Sequence, residues 1–164
     1  PEWSGVRRVR TYDAAGVRVL SETPFSPSRE QMIVAGQRVD GHMLSNRPDA
    51  HTELAIARFA LSEQDANALA RNANTALERI ARSMTTAVGA RNIQTITSLW
   101  RGHPAARTSG SIRTRGAPAY ISARIALLPD NTAIAIIATS TVGRLDADSQ
   151  QIGLERALTV VLDD

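Results

Sequence analysis

Residues 133–138 read Ala-Ile-Ala-Ile-Ile-Ala, and this run limits the fold more than any other part of the chain. A half-buried strand alternates apolar and polar side chains, whereas a strand covered on both faces can be apolar throughout. The chain therefore needs a central strand with material on two sides. Pro129-Asp130-Asn131 precedes the run, and residues 120–128 before that turn are also strongly apolar. Residues 120–128 and 132–140 form the best hairpin in the sequence.

The strongest helical signal lies upstream. Ser62-Glu63-Gln64-Asp65 resembles a capping box, with Ser62 as N-cap and an acid three residues on. Apolar residues then recur at Ala66, Leu69, Ala73, Ala76, Leu77, Ile80, Ala81 and Met84. That spacing predicts one amphipathic helix over 63–85, ending before Gly89. Its face is rich in alanine, so it can lie close to a sheet.

Around these two anchors the pattern predicts short strands at 16–20, 31–37 and 52–61. Residues 23–28 should be a loop, because Pro24 and Pro27 remove backbone donors. Residues 44–51 should be a polar turn region. Further strands are expected at 92–100 and 105–115, and a final helix at 148–161 capped by Asp146 or Asp148. The fold class is α+β: an antiparallel sheet of about six strands flanked by two helices. Both helices can share one face of the sheet. One helix on each face agrees better with the two-sided burial of 133–138. Residues 1–15 are expected as an N-terminal arm and 16–164 as a single domain.

Composition narrows the function classes. Of 164 residues, 43% are hydrophobic but only 4% aromatic, so the core must be aliphatic. Bases stack on aromatic faces, so a single-strand nucleic-acid platform is not expected. All 19 basic residues are arginine and the net charge is only +3, too small to mark a nucleic-acid binder. A GC-rich genome is the plain explanation for the arginines; planar recognition of carboxylate or phosphate is the functional one. With no cysteine, disulfides, thiolate nucleophiles and Cys-based zinc sites are impossible. No apolar stretch is long enough for a membrane helix. The chain begins at Pro1, so a removed signal or lipoprotein leader is one expectation, and with it a membrane tether.

The layout is similar to the Mog1/PsbP-like α/β/α sandwich, including its DcrB-like branch, over roughly residues 16–162. The resemblance rests on the long helix after a strand ending Arg58-Phe59-Ala60-Leu61. It continues in the strand leading to Gly102-His103-Pro104-Ala105-Ala106-Arg107, in the closing hairpin and in the last helix. It implies a mostly non-catalytic protein: an accessory or assembly subunit, an envelope lipoprotein, or a chaperone for a secreted effector. It supplies no catalytic residues and no cofactor.

Candidate chemistry is sparse. His42, His51 and Asp49 fit no standard zinc spacing and read as loop residues. Ser109-Gly110-Ser111 sits in a predicted strand, not in a G-x-S-x-G elbow, and reads as a bulge or solvated strand. Phosphate-loop motifs are absent. Glu53 and Glu63 are acids with surface or capping roles as the simpler account. Arg107, Arg113 and Arg115 share parity on a predicted strand and could form a basic stripe for an acidic partner. The simpler account is a solvated face that blocks edge pairing.

The leading expectation is a non-enzymatic binding or assembly protein of a bacterial envelope or secretion system, located in the envelope or periplasm and acting on a protein partner. A cytosolic chaperone for a secreted effector and a small hydrolase using a serine with His103 or His51 are the alternatives. The binding surface is expected either at the arginines of 107–115 or in an apolar groove beside the long helix.

Overall fold

A computed structural model describes residues 10–14, 16–34 and 36–160, with side chains from residue 16 onward. In chain order the elements are β1 (Arg10–Ala14), β2 (Val17–Ser21), β3 (Ser26–Val34), β4 (Gln37–Asp49) and β5 (Thr52–Ala60). Then come α1 (Glu63–Arg71), α2 (Ala73–Ala87), β6 (Arg91–Trp100), β7 (His103–Thr114), β8 (Ala117–Leu127) and β9 (Thr132–Ser140). The last elements are α3 (Arg144–Arg156) and β10 (Leu158–Val160).

The main sheet has seven strands in the order β3-β4-β5-β9-β8-β7-β6, one more than expected. Every neighbouring pair is antiparallel. A second sheet, β1-β2-β10, is not hydrogen-bonded to it but packs on it through Val17, Val19 and Leu158. Strand β9 spans residues 132–140, as its apolar pattern predicts, and is central. Ala135 pairs with Ala57 on one side and Ile125 on the other. Its two faces feed two cores. Ile134 and Ile136 join Val19, Leu44, Trp100, Leu154 and Leu158 on the α3 side. Ala133 and Ala135 join Phe59, Leu69, Leu77 and Ile80 on the α1–α2 side. The fold is α+β, with helices on both faces of an antiparallel sheet.

Several expected boundaries move, each for a local reason. The helix predicted over 63–85 is two helices. Asn72 adopts an extended conformation; its N–H closes α1 on Ala68 O, and its side chain accepts from Thr75 N–H at 3.2 Å to open α2. Asparagine is among the best N-caps, so one residue ends one helix and begins the next. Ser62 caps α1 as expected, accepting from Asp65 N–H at 3.1 Å.

The expected loop at 23–28 gives way to β3 at Ser26. Pro27 is tolerated because β3 is an edge strand. Residues 44–49 are strand, not turn: β4 continues to Asp49 through a register shift between Asn46 and Asp49. Helix α3 starts at Arg144 and stops at Arg156, and 158–160 pair with β2. Neither Asp146 nor Asp148 caps it: Gly143 is the N-cap, and Asp146 accepts from Ser140 Oγ at 2.5 Å. Of the expected arm, 10–14 form β1 against β2, and 1–9 lie outside the described residues.

Arg58 ties these layers together. Its side chain is 9% exposed. It donates to Thr132 Oγ1 at 3.1 Å, to Gly16 O at 3.1 Å and to Asp130 Oδ2 at 2.6 Å. Burial alone would raise the Asp130 carboxyl. Donation from Thr132 and the nearby Arg58 guanidinium outweigh it and hold Asp130 below the ordinary carboxylate range. A depressed folded pKa gives stability that is fully present above the unfolded value of about 3.9 and is lost as pH falls through the folded value. Asp130→Asn is therefore expected to cost about 1–2 kcal/mol at pH 7. The gap from wild type should close as pH drops below about 4, in urea titrations run across that range. A gap that stays constant with pH would show that the carboxylate is not what matters.

Candidate functional site

Helix α2 packs mainly on β7 and β6, yet it also meets β3 at the opposite edge of the sheet. The β3–β4 hairpin must curl toward the helix for this to happen. Between the end of α2 and β3 lies an apolar groove of about 340 Å³. Met84, Thr85, Ala87 and Val88 form one wall and 30–33 of β3 the other. Ile121, Ala123 and Ile125 of β8, with Ala135 and Ile137 of β9, make the floor. Thr85 and Thr108 bring hydroxyls to it, but these are satisfied: Thr85 Oγ1 lies 3.0 Å from Thr108 Oγ1 and donates to Ala81 O at 2.6 Å.

The chain has three methionines, and all three, Met32, Met43 and Met84, line this groove. Methionine is unbranched and polarizable, and suits apolar surfaces that must adapt to what they hold. Met32 is seated over Gly41, where a Cβ would come within 2.7 Å of its sulfur. Val88 stands at the lip, 53% exposed, whereas Ile33 lies between Met32 and Val34 on β3 and so points to the other face of the strand. The volume falls at the small end of ligand pockets, which run from roughly 300 to 1,000 Å³.

Met43 and Ile137 also line a second, shallower cavity of about 570 Å³ that leads to Arg47, Glu53 and Arg115. There Glu53 Oε1 is 3.6 Å from Arg47 Nε and 3.7 Å from Arg115 Nη2. A wider depression at the start of α1, lined by Gln37, Glu63, Gln64 and Arg79 among others, is open and polar. It brings no apolar surface to a polar focus.

The three arginines singled out from the sequence are not one stripe. Strand β7 lies between β6 and β8, so they cannot guard a sheet edge. Arg107 is half-buried, 3.7 Å from Asp148 of α3 and 3.4 Å from Ser122 Oγ. Arg113 donates to Gly116 O at 3.0 Å. Arg115 has left the strand: with Gly116 it makes a two-residue turn, φ 52° and 77°, which matches the twist of a hairpin. That turn carries its guanidinium to Glu53. Arg101 covers the Trp100 ring at 4.5 Å and donates to Glu155 O.

Of the three histidines, His51 is the one with a side-chain hydrogen-bond partner among the described residues. His51 Nδ1 is 3.1 Å from Thr141 Oγ1. Asp49 takes the backbone N–H of His51 at 2.7 Å, and this bond is the main cause of a carboxyl held below its ordinary value. Ser109 and Ser111 pair regularly with Ser122 and Tyr120 of β8, and the register shift beside them lies in β6. Among the described residues no group of three or more His, Asp or Glu is placed to hold a metal ion. No helix in that region is long and apolar enough to cross a membrane.

The groove had no motif to announce it. Its methionines are 11 and 41 residues apart in the sequence, and only the curl of the hairpin brings them together. The one sequence signal was three methionines in a core built mostly of Ala, Ile, Leu and Val, to which Phe25, Phe59 and Trp100 add the aromatic members that an all-aliphatic expectation left out.

A seven-stranded antiparallel sheet with a helix pair on one face, and a single helix on the other, defines the Mog1/PsbP-like α/β/α sandwich, and this chain has that fold. In particular, it is similar to the solution structure of the cyanobacterial PsbP (CyanoP) of Synechocystis sp. PCC 6803. The TM-score is 0.61 at 11% identity, over 98% of this chain and 96% of that one. A looser likeness, TM-score 0.45 at 10% identity, joins 85% of this chain to 86% of LpqN of Mycobacterium tuberculosis, a protein involved in cell envelope biogenesis. No family model matches the sequence, and no curated protein matches it either. At these identities the likeness is one of fold.

Proposed function

We propose that this chain is a non-enzymatic binding or assembly protein that holds an apolar group of its partner in the methionine-lined groove. The observation that carries this reading is the convergence of Met32, Met43 and Met84 on one open apolar cavity. Such a cavity with a half-exposed lip is a standing invitation to an apolar ligand. The finer reading is an accessory component of a bacterial envelope or secretion system, outside the cytoplasm. It follows from the Mog1/PsbP-like resemblance, and no single residue carries it. Chaperoning a hydrophobic segment of a secreted effector would use the same groove. The small volume favours a slender group over a helix.

The test is saturable binding of a neutral apolar dye, Nile red, followed by fluorescence. Wild type should bind with one site per chain. Val88→Asp places a charge at the lip and should weaken binding at least tenfold, since an unpaired charge is costly beside apolar surface, while Ile33→Asp, on the other face of β3, should leave binding unchanged. Both positions are about half exposed, so Tm should change by only a few degrees. Absence of saturable binding, or binding indifferent to Val88→Asp, would overturn the groove as the working site.

A further inference from the structure

Resting on that groove reading, we infer that the natural occupant is a single-chain amphiphile with an anionic head, a fatty carboxylate, lying from the methionine chamber to Arg47 and Arg115. Three observations carry this. Met43 and Ile137 line both cavities, so the apolar chamber and the shallower one abut at these two side chains. Met43 and Arg47 are four residues apart on β4, which spans about 13 Å at roughly 3.3 Å per residue. Apolar and cationic ends are thus separated by about the length of a medium acyl chain.

The charge at the far end is unbalanced. Among the described residues, Glu53 is the one carboxylate paired with the guanidinium groups of both Arg47 and Arg115. The distances of 3.6 and 3.7 Å are longer than a good charge-assisted hydrogen bond, and the three side chains are 40–61% exposed. Exposed pairs of this kind contribute little, so an incoming carboxylate can take over the donors. A guanidinium fork matches a carboxylate in two-point geometry, which gives the site a preference by charge and shape. Arg115 reaches this place only because the Arg115-Gly116 turn takes it out of β7.

The experiment titrates the full chain by calorimetry with three ten-carbon probes: decanoate, decan-1-ol and decyltrimethylammonium. Decanoate should bind once per chain, at least tenfold tighter than either of the others. The double variant Arg47→Gln/Arg115→Gln should weaken decanoate about tenfold, to the level of decanol, and leave decanol unchanged. Glu53→Gln removes the competing carboxylate and should tighten decanoate about threefold. Equal affinity for the three probes, or an anion preference that survives the double variant, would overturn the carboxylate assignment. Nile red binding, still weakened by Val88→Asp, would then leave the groove reading standing. Failure of every probe and of the dye would sink both.

Discussion

Replacing Glu155 with alanine is expected to lower the stability of the domain by about 3–4 kcal/mol, a fall in Tm of roughly 10 °C. Glu155 Oε1 accepts from Arg124 Nε at 2.5 Å and from Gln151 Nε2 at 2.6 Å. Gln151 is fully buried, and the Arg124 side chain is only 14% exposed. Taking away the carboxylate leaves a nearly buried guanidinium without its counter-charge, and that is among the costliest single changes a core can suffer. Helix α3 feels it directly, because few of its apolar residues are buried: Ala147 and Leu154. Its docking depends on Gln151, which also donates to Ile136 O of the central strand at 3.3 Å. Two controls separate charge from volume. Glu155→Gln keeps an acceptor and should cost less. The triple change Arg124→Met, Gln151→Leu and Glu155→Leu removes the whole network and should come back toward wild type, since apolar replacement of a buried ionic group is often neutral. A loss under 1 kcal/mol for the alanine variant, measured by thermal unfolding, would mean the network does not hold α3.

Arg58→Ala is the second large effect, with an expected cost of about 3 kcal/mol. One guanidinium joins β5 to the β8–β9 turn through Asp130 and Thr132, and to the turn before β2 through Gly16 O. The loss should be local as well as global. Amides of 17–21 and 128–132 should exchange with solvent faster than the rest of the sheet. Arg58→Lys should not rescue, because a compact ammonium cannot spread donors over three acceptors in a planar fork. Full rescue by lysine would show that charge alone suffices.

The legible parts of the fold were those where every local preference agreed. Strand β9 is apolar on both faces, is preceded by Pro129-Asp130-Asn131, and has no competing helical period. Ser62 and Gly89 bracketed the helical region in the same way. The break at Asn72 was hidden because the helical spacing of Leu69, Ala73 and Ala76 passes through it in phase; only the cap chemistry of one asparagine marks it. Strand β10 was hidden for a different reason. Leu154, Ala157 and Leu158 fit a helix face, and three residues are too few to show a period of two. Pro27 argued for a loop, since a sequence does not say which strand will lie at an edge. Strand parity groups Arg115 with Arg107 and Arg113, and the Gly116 turn cancels that parity. Arg115 still matters, through a cavity that parity could not foresee.

The position of β9 and β10 bears on how the chain comes to be folded at all. β5 finds its second partner only in β9, where Ala60 pairs with Thr132, and β2 finds its own in β10, more than 130 residues later. Contacts so distant along the chain close large loops before they return any stabilisation, which slows folding. A nascent chain leaving the ribosome would therefore hold β3–β5 and the helix pair without their central strand until residues 132–140 have emerged. During that interval an apolar sheet edge stands open, a template for wrong pairing. Synthesis of this protein thus has a vulnerable window, set by the insertion of a late strand into the middle of an early sheet.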